Sequence, residues 1–409
     1  MQEGWNWLTQ CSPVCQHMQC ALQVPITVLE YIDRARRHCL WRGSDNNAKM
    51  KPMVAWKKCC KPKRKGGLGI INLRSQNTAL LLKHLDKFYN KKEIPWVKLV
   101  WHAHYSNGEI PHATSDKGSF WWRDILKLCD LFRGIANCNI GDGTTVLFWS
   151  DLWNDNIMQI KYPRLFSFTK HKKILEAQFL LNNNLESQFH LPLSEQAFQE
   201  YQNFQDYIQT IQVHHSTKDS WCFIWGSNIY TSSKFYNFPY RNAQLPAPFI
   251  WIWDSKCSNK LRVFSWLLLM DTLNTRNILK RKQHKLEGNN YNCVLCNSNV
   301  EETAFHLFFS CTFSRARWQH LGIQWNFASD FFKMLIQAKQ QFPNPYFMDI
   351  LFTIAAWQIW KQRNNFIFDR GRPSLDSWKF SFSEEARLEA HRICDAKRPA
   401  FLSCIDSLA

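Results

Sequence analysis

The 409-residue sequence predicts a mainly α-helical fold with small β-hairpin elements and one compact module rich in cysteine and histidine. Three observations carry that reading. Apolar residues recur at helical spacing in several windows. One window, 140–149, sets turn residues between β-formers, and one segment, 293–311, gathers cysteine and histidine at close intervals.

Taken in order, Val28 to Ala35 reads as an amphipathic helix with Leu29, Ile32 and Leu40 on one side. Lys61-Pro62-Lys63-Arg64-Lys65-Gly66-Gly67-Leu68-Gly69 is a loop, because its proline and three glycines oppose a helix. Leu73 to Phe88 is helical, with Leu80, Leu81, His84, Leu85 and Phe88 in 3–4 spacing. Ile140-Gly141-Asp142-Gly143-Thr144-Thr145-Val146-Leu147-Phe148-Trp149 predicts a β-hairpin. Residues 170–220 are rich in Gln and Asn with weak periodicity, which suggests irregular helices or a linker, and Ile229 to Tyr236 suggests a short strand entering a helix. After Pro246 and Pro248 a compact module runs to about Trp325. Within it Leu261 to Leu269 is a buried helix capped by Asn259, and Thr275 caps a basic helix, Arg276 to Lys282. The tail from Phe347 to Ala396 is helical, broken by Gly371 and Pro373. The resulting division is 1–110, 111–170, 171–245, 246–325 and 326–409.

Composition narrows the function. Apolar residues make up 45%, enough to bury a sizeable core, and 51 Lys and Arg against 33 Asp and Glu give a net charge of +18. Such an excess points to a polyanionic partner, RNA or DNA before an anionic membrane surface. The window 34–74 holds thirteen Lys or Arg and one acid, Asp45. The longest nearly pure apolar stretch, Val263 to Met270, is far short of a bilayer span, and the N-terminus has neither a basic region nor an apolar run. A soluble, intracellular protein is expected, without a membrane partner. Its 15 cysteines are expected to be mostly reduced, buried thiols.

The sharpest signal is Cys293-x2-Cys296-x9-His306-x4-Cys311. A Cys-x2-Cys turn can present two thiolates to one tetrahedral ion. Ser298 with Glu301 suggests a capping box, and a helix continuing from Glu302 to Phe309 would project His306 with Cys311 one turn beyond. Four ligands fill a tetrahedron, so the expected cofactor is a structural zinc with no open catalytic position. The polar, loop-like segment Lys285 to Asn292 cannot pin Cys293 against that helix unaided. From Lys256 to Lys285 there are eight Lys or Arg and one acid, Asp271. Lys61, Lys63, Arg64, Lys65, Lys280, Arg281 and Lys282 are the expected phosphate contacts, against the alternative of a merely solvated face.

Leu261-Arg262-Val263-Phe264-Ser265-Trp266, Cys293-Val294-Leu295-Cys296, Glu302-Thr303-Ala304-Phe305-His306-Leu307-Phe308-Phe309-Ser310-Cys311 and Trp318 together resemble the zinc-binding domain that follows reverse transcriptase in plant LINE-type (non-LTR) retrotransposons. Trp41-Arg42-Gly43 and Lys65-Gly66-Gly67-Leu68-Gly69 resemble the region after the polymerase palm. Phe148-Trp149-Ser150-Asp151-Leu152-Trp153 resembles the family's FW-x-D-x-W segment, and Trp360-Lys361-Gln362-Arg363-Asn364 its helical tail. The resemblance covers about residues 25 to 370. It implies a helical post-palm region plus the zinc module, with Cys293, Cys296, His306 and Cys311 as the zinc ligands.

The departures weigh equally. Polymerases of this type need adjacent aspartates for two Mg²⁺ ions, and the sequence has no Asp-Asp pair. It has no recognisable endonuclease region or four-carboxylate ribonuclease H pattern. The expectation is therefore a non-catalytic nucleic-acid-binding part of the polyprotein, with no catalytic residues of its own. The alternatives are a polymerase subunit whose palm comes in trans, from another retroelement protein, and a decayed product without function. Lys57 to Lys65 also resembles a nuclear-import run. Cys11, Cys15, His17 and Cys20 match no common metal site, and Glu384, Glu385 and Glu389 are expected to pair with Arg387 and Arg392.

Overall fold

The structure, a computed structural model, describes residues 22–42, 52–106, 110, 118–182, 184–211 and 217–408. Cys11, Cys15, His17 and Cys20 lie outside the described residues. Helices dominate, and the fold is mainly α. Two short strands, β1 (Ala136–Asn139) and β2 (Ser220–Phe223), pair antiparallel with Ala136 opposite Phe223. The chain forms two compact units, one from 72–241 with 22–33 and the other from 34–71 with 242–408. The helix foreseen at 28–35 runs Ile26–Arg42, and that at 73–88 runs Leu73–Tyr89, capped by Asn72 accepting from Ser75 N–H.

In the unit containing 72–241 the core is aromatic. Phe148, Trp149 and Trp153 of the FW-x-D-x-W segment are fully buried, and Trp153 Nε1 donates to the Phe148 carbonyl at 2.9 Å. Asp151 is buried against Arg133 and accepts from Leu147 N–H at 2.6 Å. Residues 171–245, expected to be an irregular or helical linker, supply much of this core. Phe179 stacks on Phe148 at 3.8 Å and Phe204 on Trp149 at 5.6 Å. Their periodicity was weak because single aromatics on short elements do the packing, with only Glu195–Gln209 a long helix.

The hairpin expected at 140–149 does not form. β1 turns instead into a loop wrapped on the carboxylate of Asp219, which accepts from the N–H of Gly141 (2.8 Å), Gly143 (2.9 Å) and Thr145 (2.8 Å) and from Thr145 Oγ1 (2.7 Å). Donors that a hairpin ladder would need are spent on one distant acid. Ile229–Thr231 likewise forms no strand, and Thr231 simply caps helix Ser232–Asn237.

The unit containing 242–408 is built on helix Pro345–Phe368, which buries Ile350, Leu351, Ile354, Ala355, Ala356 and Ile359. Helix Asn259–Leu269 packs on it through Phe264, 5.1 Å from Trp357, and helix Leu375–Ala390 through Trp378 and Phe382. The first of these starts at Asn259 with Ser258 at the cap position, so Asn259 is inside the helix. Lys63–Lys65 is a single 3-10 turn, and the following loop is pinned where Trp266 Nε1 donates to the Gly66 carbonyl at 3.0 Å. A Cβ on Gly67 would lie 2.0 Å from the Lys61 carbonyl oxygen, so the glycine serves a tight chain crossing. Residues 34–71, 246–325 and 326–408 thus share one hydrophobic core. None of the described helices is long and apolar enough to cross a membrane.

Near the Asp219 loop, Glu176 is fully buried, and neither carboxylate oxygen has a hydrogen-bond partner. Burial, with Asp219 and Asp142 nearby, pushes its carboxyl up to about 7 from 4.5. A raised pKa means stability is greatest below pH 4.5 and is lost as pH rises through 7. Glu176→Gln should match the wild type below pH 4.5 and exceed it by about 3 kcal/mol at pH 8 in urea denaturation.

Candidate metal centre

Cys293 N–H donates to the Val300 carbonyl at 2.8 Å and Asn292 bridges Glu301, so Cys293 and Cys296 sit on a short irregular loop closed by that bridge. Helical structure begins only at Ala304, capped by Thr303 Oγ1 accepting from His306 N–H at 3.0 Å. The predicted Ser298–Glu301 capping box is therefore replaced, because Glu301 is committed to the bridge. Residues His306–Ser310 form a π-turn, and Cys311 N–H donates to the His306 carbonyl at 2.8 Å. An α-helix would swing a residue five positions on away from His306, whereas the wider π-turn brings Cys311 back to the same side.

The four ligand atoms of Cys293, Cys296, His306 and Cys311 all lie within 4.8 Å of one another. Cys293 Sγ is 3.9 Å from Cys311 Sγ, and Cys296 Sγ is 3.4 Å from His306 Nε2. A tetrahedral zinc has edges of about 3.8 Å between sulfurs and about 3.5 Å between sulfur and nitrogen, so the donor set fits that ion. Ser310 Oγ lies 3.3 Å from His306 Nδ1, which fixes the ring and leaves Nε2 for the metal. Cys311 is held low, at about 5, by the hydrogen bond from Cys293 and, against burial, by N–H groups of Phe313 and Ser314. Cys293 is raised by the same shared proton and by burial. A metal would replace that proton. Arg317, buried and stacked on Phe313 at 3.3 Å, feels the Cys311 charge and can offset the net negative centre.

Glu302, expected at the start of the helix that carries His306, instead ties this centre to the core. Its carboxylate accepts from Arg363 Nη2 at 2.7 Å and from Arg276 N–H at 3.0 Å, with Arg363 and Glu302 both buried. Its carbonyl accepts from Asn277 N–H at 3.2 Å. One acid thus joins the metal segment, helix Arg276–Arg281 and helix Pro345–Phe368. Nothing in the sequence signals this pair, because Arg363 sits in the polar stretch Lys361-Gln362-Arg363-Asn364-Asn365 near the helix end and reads as solvated; its burial comes only from the tertiary fold.

The expected phosphate-contacting residues fall on two elements of the same unit. Arg64 is exposed and pairs with Asp254 at 3.7 Å, and Lys65 Nζ donates to the Ala243 carbonyl at 3.0 Å. Lys63 lies 5.0 Å over the Trp253 ring, and Lys61 is half-buried. Lys280 pairs with Glu301 at 3.2 Å, Lys282 donates to Asn274 Oδ1 at 2.9 Å, and Arg281 is exposed. Of the tail acids, Glu384 pairs with Arg387 and Glu389 with Arg392 as expected, whereas Glu385 accepts from Gln358 Nε2 at 3.3 Å and forms no arginine pair among the described residues.

Comparison with known proteins places this geometry. The family described as zinc-binding in reverse transcriptase matches residues 230–318, which contain all four ligands. An uncharacterized mitochondrial protein of Arabidopsis thaliana is 30% identical over 116 residues, 28% of this chain and 75% of that protein. The chain belongs to the retrotransposon reverse-transcriptase family that carries this zinc-binding domain. A second Arabidopsis thaliana protein, whose name describes a ribonuclease H protein, is 34% identical over 142 residues, 34% of this chain. The matched stretch spans 23% of that relative's length.

Two outcomes test the centre of this retroelement protein. Chelation of the full chain should accelerate amide hydrogen exchange throughout 242–408 and spare the aromatic core of 120–223. Arg363→Met should cost about 3–5 kcal/mol in chemical denaturation by leaving Glu302 buried and unpaired, and Arg363→Met with Glu302→Gln should recover most of that loss.

Proposed function

We propose that this chain is a non-catalytic, nucleic-acid-binding part of a LINE-type (non-LTR) retrotransposon reverse transcriptase, organised by one structural zinc. The observation that carries the proposal is the partition of charge. Residues 34–71 and 242–409 hold 33 Lys and Arg against 15 Asp and Glu, a net +18 equal to the whole chain's excess. The remaining residues hold 18 of each sign. The unit that contains the Cys3His centre is thus the unit suited to a polyanion, RNA or DNA.

The zinc closes the 293–311 segment and holds it on the Glu302–Arg363 pair, so its role is to shape a basic surface. Polymerisation requires paired aspartates that this sequence lacks, so synthesis would depend on a palm carried by another retroelement polypeptide. The basic run Lys57 to Lys65 would serve nuclear import as well as nucleic-acid contact.

Binding of fluorescent single-stranded RNA and DNA by the full chain should weaken steeply between about 50 and 200 mM salt, by 10³-fold or more if six or more phosphates are neutralised. A flat salt response, or no binding at 50 mM, contradicts the reading.

A further inference from the structure

Three cations at the start of helix Asn259–Leu269 differ from the rest of the basic surface. Lys63 lies 5.0 Å over the Trp253 ring, and Arg262 Nη1 donates to the carbonyl of that same tryptophan at 3.4 Å. Arg262 Nη2 donates to Asn259 Oδ1 at 2.7 Å, while its Nε is buried without a partner. Lys260 lies 4.6 Å over Trp357. Among the described residues none of the three makes an ion pair. The acids around them are already used: Asp254 by Arg64, and Glu389 by Arg392 and by Ser258 N–H.

This arrangement is costly without a ligand. Burial and the adjacent Arg262 lower the Lys63 ammonium, and burial and Arg392 lower Arg262, although Cys257 and Glu389 oppose that shift. Lys260 and Arg262 also occupy the first turn of an 11-residue helix with no acid in that turn and no side-chain cap. That is the end where the backbone dipole favours negative charge, so both cations sit against it. An anion would relieve the repulsion and the dipole conflict together.

We propose that Lys63 and Arg262, which meet at Trp253, form a clamp for a backbone phosphate of the bound nucleic acid. The clamp deepens the proposed function and rests on it. It singles out Lys63 from the basic run 61–65, and it adds Arg262 of the buried helix, which is not among the seven expected phosphate contacts. Lys65, Arg64, Lys280 and Lys282, engaged within the protein, are secondary to it. The Trp253 face holds Lys63, and the Trp253 carbonyl and Asn259 Oδ1 hold Arg262, so little side-chain freedom is lost when the phosphate arrives.

The test uses the full chain with Lys63→Gln, Arg262→Gln and the double variant, and Lys173→Gln in the other unit as control. Binding to a 20-nucleotide single-stranded RNA is measured across salt, together with thermal stability and competition by inorganic pyrophosphate. The double variant should bind about tenfold or more weakly, and its salt slope should fall by about 1 to 2. Lys63→Gln should keep or raise the melting temperature, because it removes repulsion; a purely structural lysine would lower it. The control should leave all readouts unchanged. If the wild type binds RNA and the double variant binds with unchanged affinity and slope, the clamp is overturned while the nucleic-acid reading stands. If the wild type binds pyrophosphate and no nucleic acid, both are overturned.

Discussion

Thiolates repel, and three of them beside an imidazole can be held together only by protons or by a cation. In this protein Cys293 and Cys311 are brought to 3.9 Å and Cys296 to 3.4 Å from His306 Nε2, with burial adding to the cost of charge. The segment is held at its entrance by Arg276 Nη1 donating to the Asn290 and Asn292 carbonyls and by Glu302 N–H donating to the Tyr291 carbonyl, bonds that offset none of the thiolate charge. It enters from the polar stretch 285–292, makes one short bridge, and turns through a single π-turn. A metal would close this segment, and the four donor atoms, all within 4.8 Å of one another, are compatible with a tetrahedral ion.

The consequence spreads through Glu302. Because its carboxylate receives both Arg363 and the first N–H of helix Arg276–Arg281, the metal segment, the basic helix and the long central helix hold fixed positions relative to one another. Phe308 and Phe309 then reach Phe264, Trp318 and Trp325, and the Lys63–Gly69 loop is fastened by Trp266. A charge-rich surface needs such a scaffold, since a net +18 on one unit is self-repelling.

The sequence made some of this legible and hid the rest for identifiable reasons. The Cys3His set and the helices at 26–42, 73–89, 345–368 and 375–390 follow from spacing and from proline and glycine punctuation. The π-turn does not, because five-residue closure has no compositional sign. Gly141 and Gly143 look like a hairpin turn until Asp219, more than seventy residues away, claims their N–H groups. The share of the aromatic core supplied by 171–241 was hidden because its aromatics are spaced by loops. Lys63 was visible only as one of a run; its separation from Lys61 and Lys65 comes from Trp253 and Arg262, which lie about 200 residues further on.

The central claim is that one zinc organises the basic unit. Zinc K-edge X-ray absorption on the purified full chain measures it most directly. The account predicts one zinc per chain with three sulfurs at about 2.3 Å and one nitrogen at about 2.0 Å. A folded chain without metal, or a zinc shell of oxygen and nitrogen alone, would contradict it.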